Sequence, residues 1–65
     1  MEYLKQKLKQ KHISQNELAK RTGITRTTIN QYINGKRKLN RLDHIYNIQM
    51  ALGLSMNKFI KEILK

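Results

Sequence analysis

The segment from Thr25 to Gln31 concentrates side chains that form hydrogen bonds on a stretch whose spacing predicts a helix. Arg26, Thr27 and Asn30 lie in it, and no acidic residue is nearby. Thr and Asn are weak helix formers, so helix stability does not explain their presence. The chain offers no set of Ser, His and acidic residues that indicates catalysis. It also lacks cysteine and any cluster with metal-ligand spacing. We therefore expect no enzyme activity, no cofactor and no metal.

The net charge narrows the class of partner. The chain has 65 residues, with 14 Lys and Arg against 4 Asp and Glu, and a formal charge of +10. The positive side chains repel one another and lower the stability of the folded chain. Such a charge is typical of proteins that bind a polyanion, either nucleic acid or an anionic membrane surface. The apolar runs fall short of the roughly 20 residues of a membrane-spanning helix. The N-terminus lacks the apolar segment of a secretion signal, so the expected location is the cytoplasm.

Apolar residues at helical spacing predict five helices in one all-α domain that covers residues 1–65. The helices are expected to begin near residues 2, 15, 26, 41 and 56. Their inward positions are expected to be Leu4, Leu8, Leu18, Ala19, Ile29, Ile33, Leu42, Ile45, Ile48, Leu52, Met56, Phe59, Ile60 and Ile63, with Leu39 as an anchor in the loop before the fourth helix.

The ends of these helices are marked by capping signals. Ser14 and Glu17 have the spacing of a capping box, in which each side chain accepts a hydrogen bond from the backbone of the other residue. Gly23 is expected to end the second helix, because glycine adopts the left-handed conformation without strain. The remaining signals are Thr25 as N-cap of the third helix, Asn40 with Asp43 at the fourth, Ser55 at the fifth, and Gly35 and Gly53 as stops.

The second and third helices have the features of a helix-turn-helix. Ala19 is small enough to let two helix backbones approach closely, Gly23 turns the chain, and Ile29 holds the third helix against the second. Residues 14–53 resemble the helix-turn-helix of the phage repressor and Cro family, also called the XRE family, through "SQNELAKRTGI", "TRTTI", "NGK" and "ALGLS". The resemblance implies a compact five-helix, lambda-repressor-like domain that binds double-stranded DNA.

The resemblance also implies which residues meet DNA. The third helix, at about 26–34, is expected to be the recognition helix in the major groove. Base contacts are expected from Arg26, which can fork onto guanine, from Gln31, which can donate to and accept from adenine, and from Thr27 and Asn30. Phosphate contacts are expected from Gln15, Thr25, Thr28, Asn34, Lys36, Lys38 and Arg41.

The chain departs from the family pattern in two places. Many members have a Glu late in the recognition helix that pairs with an Arg on the first helix, but those positions are Ile33 and Leu8 in this chain. Replacing a buried ion pair by packed apolar residues is often neutral or stabilising. The loop "GKRKLN" is one residue longer than usual and has Asn40 where many members have proline.

The leading functional expectation is a nucleoid-associated transcription regulator that binds a palindromic operator as a homodimer and represses. Phe59 and Leu64 are the candidate dimer contacts. No small-molecule effector is evident, and both a stand-alone Cro-type regulator and a domain of a larger repressor fit. The alternatives are an antitoxin of a toxin–antitoxin pair, which binds DNA and a protein partner, and a cationic peptide that acts on membranes. Tyr3, Tyr32 and Tyr46 are expected at the edge of the core. His12 and His44 are expected either at the surface or next to a helix cap.

Overall fold

The computed structural model describes all residues 1–65. It contains five helices and no strand, and this confirms the predicted all-α class. The helices are α1 (Glu2–Gln10), α2 (Gln15–Thr22), α3 (Arg26–Ile33), α4 (Leu42–Leu52) and α5 (Met56–Ile63). The turn between α2 and α3 is short, and the longest connection is the loop that joins α3 to α4.

One apolar core holds the helices together. It consists of 13 buried residues, and every helix contributes at least one of them. The helix α2 packs against both α3 and α4, and α1 contacts α3. The buried residues are Leu4, Leu8, Leu18, Ile24, Ile29, Tyr32, Ile33, Leu39, Ile45, Ile48, Leu52, Leu54 and Phe59.

Most of the predicted helix ends are confirmed. Oγ of Ser14 accepts a hydrogen bond from the backbone N–H of Glu17 at 3.0 Å. Gly23 ends α2 in the left-handed conformation with φ of 74°. Thr25 caps α3 by accepting from the N–H of Thr28. The capping box is half formed, because the Glu17 carboxylate lies 3.7 Å from Arg21 and takes an ion pair along the helix instead.

The predicted start of α4 was wrong by one residue. Its N-cap position is Arg41 rather than Asn40, and no side chain caps the helix there. Asp43 instead bonds Arg41 and the N–H of His44. Ser55 occupies the N-cap position of α5 as predicted, but its hydroxyl makes no capping hydrogen bond.

Two apolar or aromatic positions differ from their expected burial, and a third is not available for the contact considered for it. Leu42 is 81% exposed and does not belong to the core. It opens α4 about a quarter turn away from the direction shared by the buried residues of that helix. Tyr46 is also exposed, because it lies further around the same helix. Phe59 is fully buried, as its inward position predicted, and is stacked on Tyr3 with 6.1 Å between ring centroids. It is therefore not available as the dimer contact that was also considered.

The two apolar residues that replace the family's ion pair between the first and third helices both lie in the core. Leu8 and Ile33 are buried in the same apolar cluster. Close to them, the ammonium group of Met1 donates hydrogen bonds to the carbonyl oxygens of Tyr32 and Ile33. These carbonyls belong to the last turn of α3, where a helix leaves its C=O groups without partners. The first helix therefore holds the end of α3 by apolar packing and by a backbone contact.

Candidate nucleic-acid interface

The turn between α2 and α3 sets the angle of α3 relative to the rest of the domain. The N–H of Gly23 bonds the carbonyl of Ala19 at 2.9 Å and closes α2. Ile29 is fully buried, and Ala19 packs against the core from a partly buried position. One side of α3 is thereby fixed inward, and its opposite side faces solvent.

Thr22 holds this turn, and the sequence reasoning missed it. The side chain is buried, and its Oγ1 donates to the carbonyl of Leu18 at 2.8 Å. The same oxygen accepts from the N–H of Ile24 at 3.2 Å. One hydroxyl therefore satisfies a buried N–H in the turn while anchoring it to α2. The signal was weak, because a Thr one residue before the glycine is equally compatible with an exposed position.

The outward side of α3 carries three of the four predicted base-contact residues close together. Arg26, Thr27 and Asn30 are exposed and line a shallow, open depression of about 300 Å³ that contains no apolar side chain. No carboxylate pairs with Arg26. The depression therefore presents a free guanidinium and hydroxyl, which are donors and acceptors of the kind that read base edges.

Gln31, the fourth predicted base-contact residue, is partly buried and bonded to the following loop. Its Oε1 accepts a hydrogen bond from Nε of Arg37 at 2.8 Å. Its backbone carbonyl also accepts from the N–H groups of Lys36 at 2.9 Å and of Arg37 at 3.3 Å. Arg37 was not among the predicted contact residues. The link could not be inferred from helical spacing, because it depends on the path of the loop after Gly35, which has φ of 73°.

A chain of amide groups joins the two helices. Nδ2 of Asn30 donates to Oε1 of Gln15 at 3.1 Å, and Oδ1 of Asn30 accepts from Nδ2 of Asn34 at 3.0 Å. The chain runs from the first residue of α2, across the middle of α3, to the C-cap of α3. It brings together one residue expected at bases and two expected at phosphates. Both ends of the Asn30 amide are engaged, so Asn30 orients Gln15 and Asn34.

Thr25 and Thr28 form a pair at the start of α3. Oγ1 of Thr25 donates to Oγ1 of Thr28 at 3.0 Å and accepts from the N–H of Thr28 at 3.3 Å. The Thr28 hydroxyl keeps its own proton for another acceptor. The start of a helix also presents N–H groups without internal partners, which favours an anion at this end.

The loop after α3 presents a row of cations that have no acidic partner. Lys36, Arg37 and Lys38 are exposed, and none of them is paired with a carboxylate. Leu39 is buried directly after them and fixes the loop to the core. Every charged residue from 18 to 42 is Lys or Arg, so this part of the surface is positive throughout.

Arg41 differs from the other predicted phosphate residues because it is already paired. It forms a two-pronged contact with Asp43, Nε to Oδ1 at 3.2 Å and Nη2 to Oδ2 at 2.7 Å. The hydrogen bond and charge of Arg41 hold the pKa of Asp43 below its usual value, and Asp43 raises the pKa of Arg41. Arg41 therefore differs from the cations of the loop, because its charge is already neutralised by a carboxylate.

His44 supports the far end of α3. The Tyr32 hydroxyl and Nδ1 of His44 are hydrogen-bonded at 2.7 Å, and the two rings meet edge-on. His44 lies in the first turn of α4, which agrees with the cap-adjacent alternative, and it is partly buried as the polar partner of a buried tyrosine. A buried hydroxyl needs such a partner.

The arrangement of α2, turn and α3 is that of a helix-turn-helix domain. A family model described as "Helix-turn-helix" (HTH_3) matches residues 4–59, which is most of the chain. The chain belongs to this Cro/C1-type (XRE) family of DNA-binding transcription regulators. Searches of curated proteins and of solved structures gave no match. No helix has both the length and the apolar character needed to cross a membrane.

Proposed function

We propose that this regulator binds a palindromic operator as a homodimer and represses transcription by occupying it. The observation that carries the proposal is the outward side of α3. It holds Arg26 and Thr27 free of internal partners, beside a row of unpaired cations at Lys36, Arg37 and Lys38. Base-reading groups flanked by phosphate-binding groups are the combination that specific DNA binding requires.

The contacts divide into two functional sets. Arg26, Thr27 and Gln31 read bases, while Gln15, Thr28, Asn34, Lys36 and Lys38 hold phosphates. Asn30 acts mainly by orienting Gln15 and Asn34, because its amide is bonded to both of them. The protein would then act in the cytoplasm, associated with the nucleoid.

The packed core supports this proposal over a membrane-active peptide. Such peptides gain their helical structure on a lipid surface, whereas these helices bury their apolar residues against one another. Circular dichroism in buffer without lipid tests the point, and a cooperative thermal transition is the expected result. The antitoxin alternative needs a protein partner as well as DNA, and co-purification of such a partner with the tagged chain is its test.

Selection of bound sites from a random DNA pool tests the proposal directly. The expected result is an enriched inverted repeat whose half-sites are about 34 Å apart, one turn of B-DNA. Enrichment of a single half-site would remove the dimer from the proposal. Equal binding to all sequences would remove specific recognition altogether.

A further inference from the structure

Helix α4 exposes an apolar stripe that no other part of the chain covers. Leu42, Tyr46 and Met50 are 81%, 56% and 59% exposed, and residues four apart lie on one side of a helix. We call these three residues the α4 stripe. We propose that two copies of the chain associate through it in an antiparallel pair. The inference rests on the proposed function in one respect, since DNA is what brings the copies together.

The distribution of charge indicates a second copy as the occupant. Two chains of +10 repel each other, so they meet at least cost where cations are absent. No Lys or Arg lies in α4, whereas each of the other helices carries at least one. Arg41, next to the stripe, is neutralised by Asp43. An acidic protein would be attracted to the other, cationic faces instead.

The spacing of the stripe is self-complementary. Tyr46 lies four residues from Leu42 and four from Met50. If two α4 helices pack antiparallel about a two-fold axis, the two copies of Tyr46 meet at the axis. Leu42 of each copy then lies against Met50 of the other. An interface between identical chains requires this kind of symmetry.

The size of the stripe sets the strength of the association. Three side chains per copy cover much less than the roughly 800 Å² per partner of a stable interface. The pair is therefore expected to be weak in free solution. On a palindromic duplex, the first bound copy raises the effective concentration of the second, so a small interface is sufficient for cooperative binding.

The orientation of α4 is compatible with DNA binding. The body measures 25 × 22 × 20 Å, so two copies in contact have centres roughly 20–25 Å apart. Recognition helices must be about 34 Å apart to enter successive major grooves. They must therefore lie toward the outer sides of the pair. His44, which bonds Tyr32 of α3, projects from the side of α4 nearly opposite to the stripe.

Cysteine crosslinking tests the pairing, because the chain has no native cysteine. Under mild oxidation, Tyr46→Cys is expected to form a disulfide-linked dimer, both at high protein concentration and with the duplex. Leu42→Cys and Met50→Cys are each expected to fail alone, since equivalent residues lie roughly 12 Å apart along the axis. An equal mixture of these two is expected to crosslink. Leu64→Cys, at the exposed end of α5, is the matched control and is expected to stay monomeric.

Several outcomes would overturn the proposal. If Tyr46→Cys does not crosslink at any concentration, the stripe has another occupant or none. If Leu64→Cys crosslinks in its place, α5 forms the interface. If Leu42→Cys and Met50→Cys each crosslink alone, the helices are not antiparallel. These results stand without DNA, so they remain decisive even if the chain shows no sequence preference and the proposed function fails.

A charge exchange gives a second test on the selected operator. Leu42→Lys is expected to weaken cooperative binding to the full site about tenfold or more. Its affinity for a single half-site should change little, and this shows that the fold and the reading surface are intact. Mixing Leu42→Lys with Met50→Glu should restore cooperative binding, since the new charges meet across the antiparallel pair. Unchanged cooperativity in Leu42→Lys alone would contradict the pairing.

Discussion

Nε of Arg37 donates a hydrogen bond to Oε1 of Gln31 across 2.8 Å, and this bond links the loop to α3. The bond turns the amide oxygen of Gln31 toward the protein and leaves its NH₂ group as the free end. A glutamine reads adenine by donating and accepting at once, whereas guanine and thymine offer acceptors alone. The expectation from sequence that Gln31 reads adenine therefore changes, and guanine or thymine, which offer only acceptors, becomes the better match.

Arg37→Ala is expected to change which base is preferred at one operator position. Without the guanidinium, the Gln31 amide is free to turn and offer both of its ends, so the preference should move toward adenine. Site selection with the variant measures this shift. Lys38→Ala removes the same charge from the loop without touching Gln31, and it should lower affinity with an unchanged site. An identical selected site for Arg37→Ala would contradict the orienting role.

Arg26→Ala is expected to weaken binding at the cognate site by about 1–3 kcal/mol, the usual cost of losing a specific base contact. Binding to unrelated duplexes should weaken much less, since only the loss of one charge affects it. Fluorescence anisotropy with cognate and scrambled duplexes measures both. Equal losses on the two duplexes would place Arg26 among the phosphate contacts instead.

Lys36→Ala is expected to weaken binding to every duplex and to reduce the salt dependence. Each phosphate neutralised contributes about one unit to the slope of log affinity against log salt, so the slope should fall by about one. Titrations at several salt concentrations give this value. Lys9→Ala on α1 is the control with the same loss of charge, and its slope should match that of the wild type.

Asp43→Asn is expected to release Arg41. If the freed guanidinium reaches a phosphate, half-site affinity should rise and the slope of log affinity against log salt should increase by about one unit.

The pair of Arg41 and Asp43 also gives a pH test. Arg41 lowers the pKa of Asp43, so any stability from the pair is present above the ordinary pKa of Asp and is lost as the pH falls through the lowered value. Arg41→Ala should therefore raise the pKa of Asp43 measured by NMR.

Thr22→Val is expected to destabilise the fold by about 1–3 kcal/mol, because the N–H of Ile24 is left buried without a partner. Thermal unfolding followed by circular dichroism measures the loss. Thr27→Val is the matched control, since Thr27 is exposed, and its effect should stay within about 0.5 kcal/mol. Equal melting temperatures for the two variants would show that Thr22 does not hold the turn.

The sequence was sufficient for the parts of the fold that depend on local signals. Gly23 and Thr25 mark the turn because few residue types favour the left-handed conformation or the N-cap position. Apolar spacing located the buried side of α3. Leu42 was misplaced because a residue at the first position of a helix fits the apolar period without being covered by a neighbour. Phe59 was correctly expected on the inward side of α5, but the spacing alone could not exclude it as a dimer contact, because complete burial depends on which helix packs over it.

Contacts between separate elements could not be predicted. The bonds from Arg37 to Gln31, from Gln15 to Asn30 and from Tyr32 to His44 each join residues six or more positions apart. No helical period relates such residues, and each bond depends on how a loop or a neighbouring helix is placed. The sequence indicated which residues to expect at DNA, while the structure shows which of them are already bonded to each other.

The amide chain from Gln15 through Asn30 to Asn34 has a consequence for the conditions in which the protein operates. Amides do not ionise, so the hydrogen-bond donors and acceptors of this chain stay the same over the whole pH range in which the fold persists. The alignment of Gln15 and Asn34 by Asn30 should therefore be the same in a mildly acidic and a mildly alkaline cell. A response of DNA binding to pH would therefore have to come from groups outside this chain of amides.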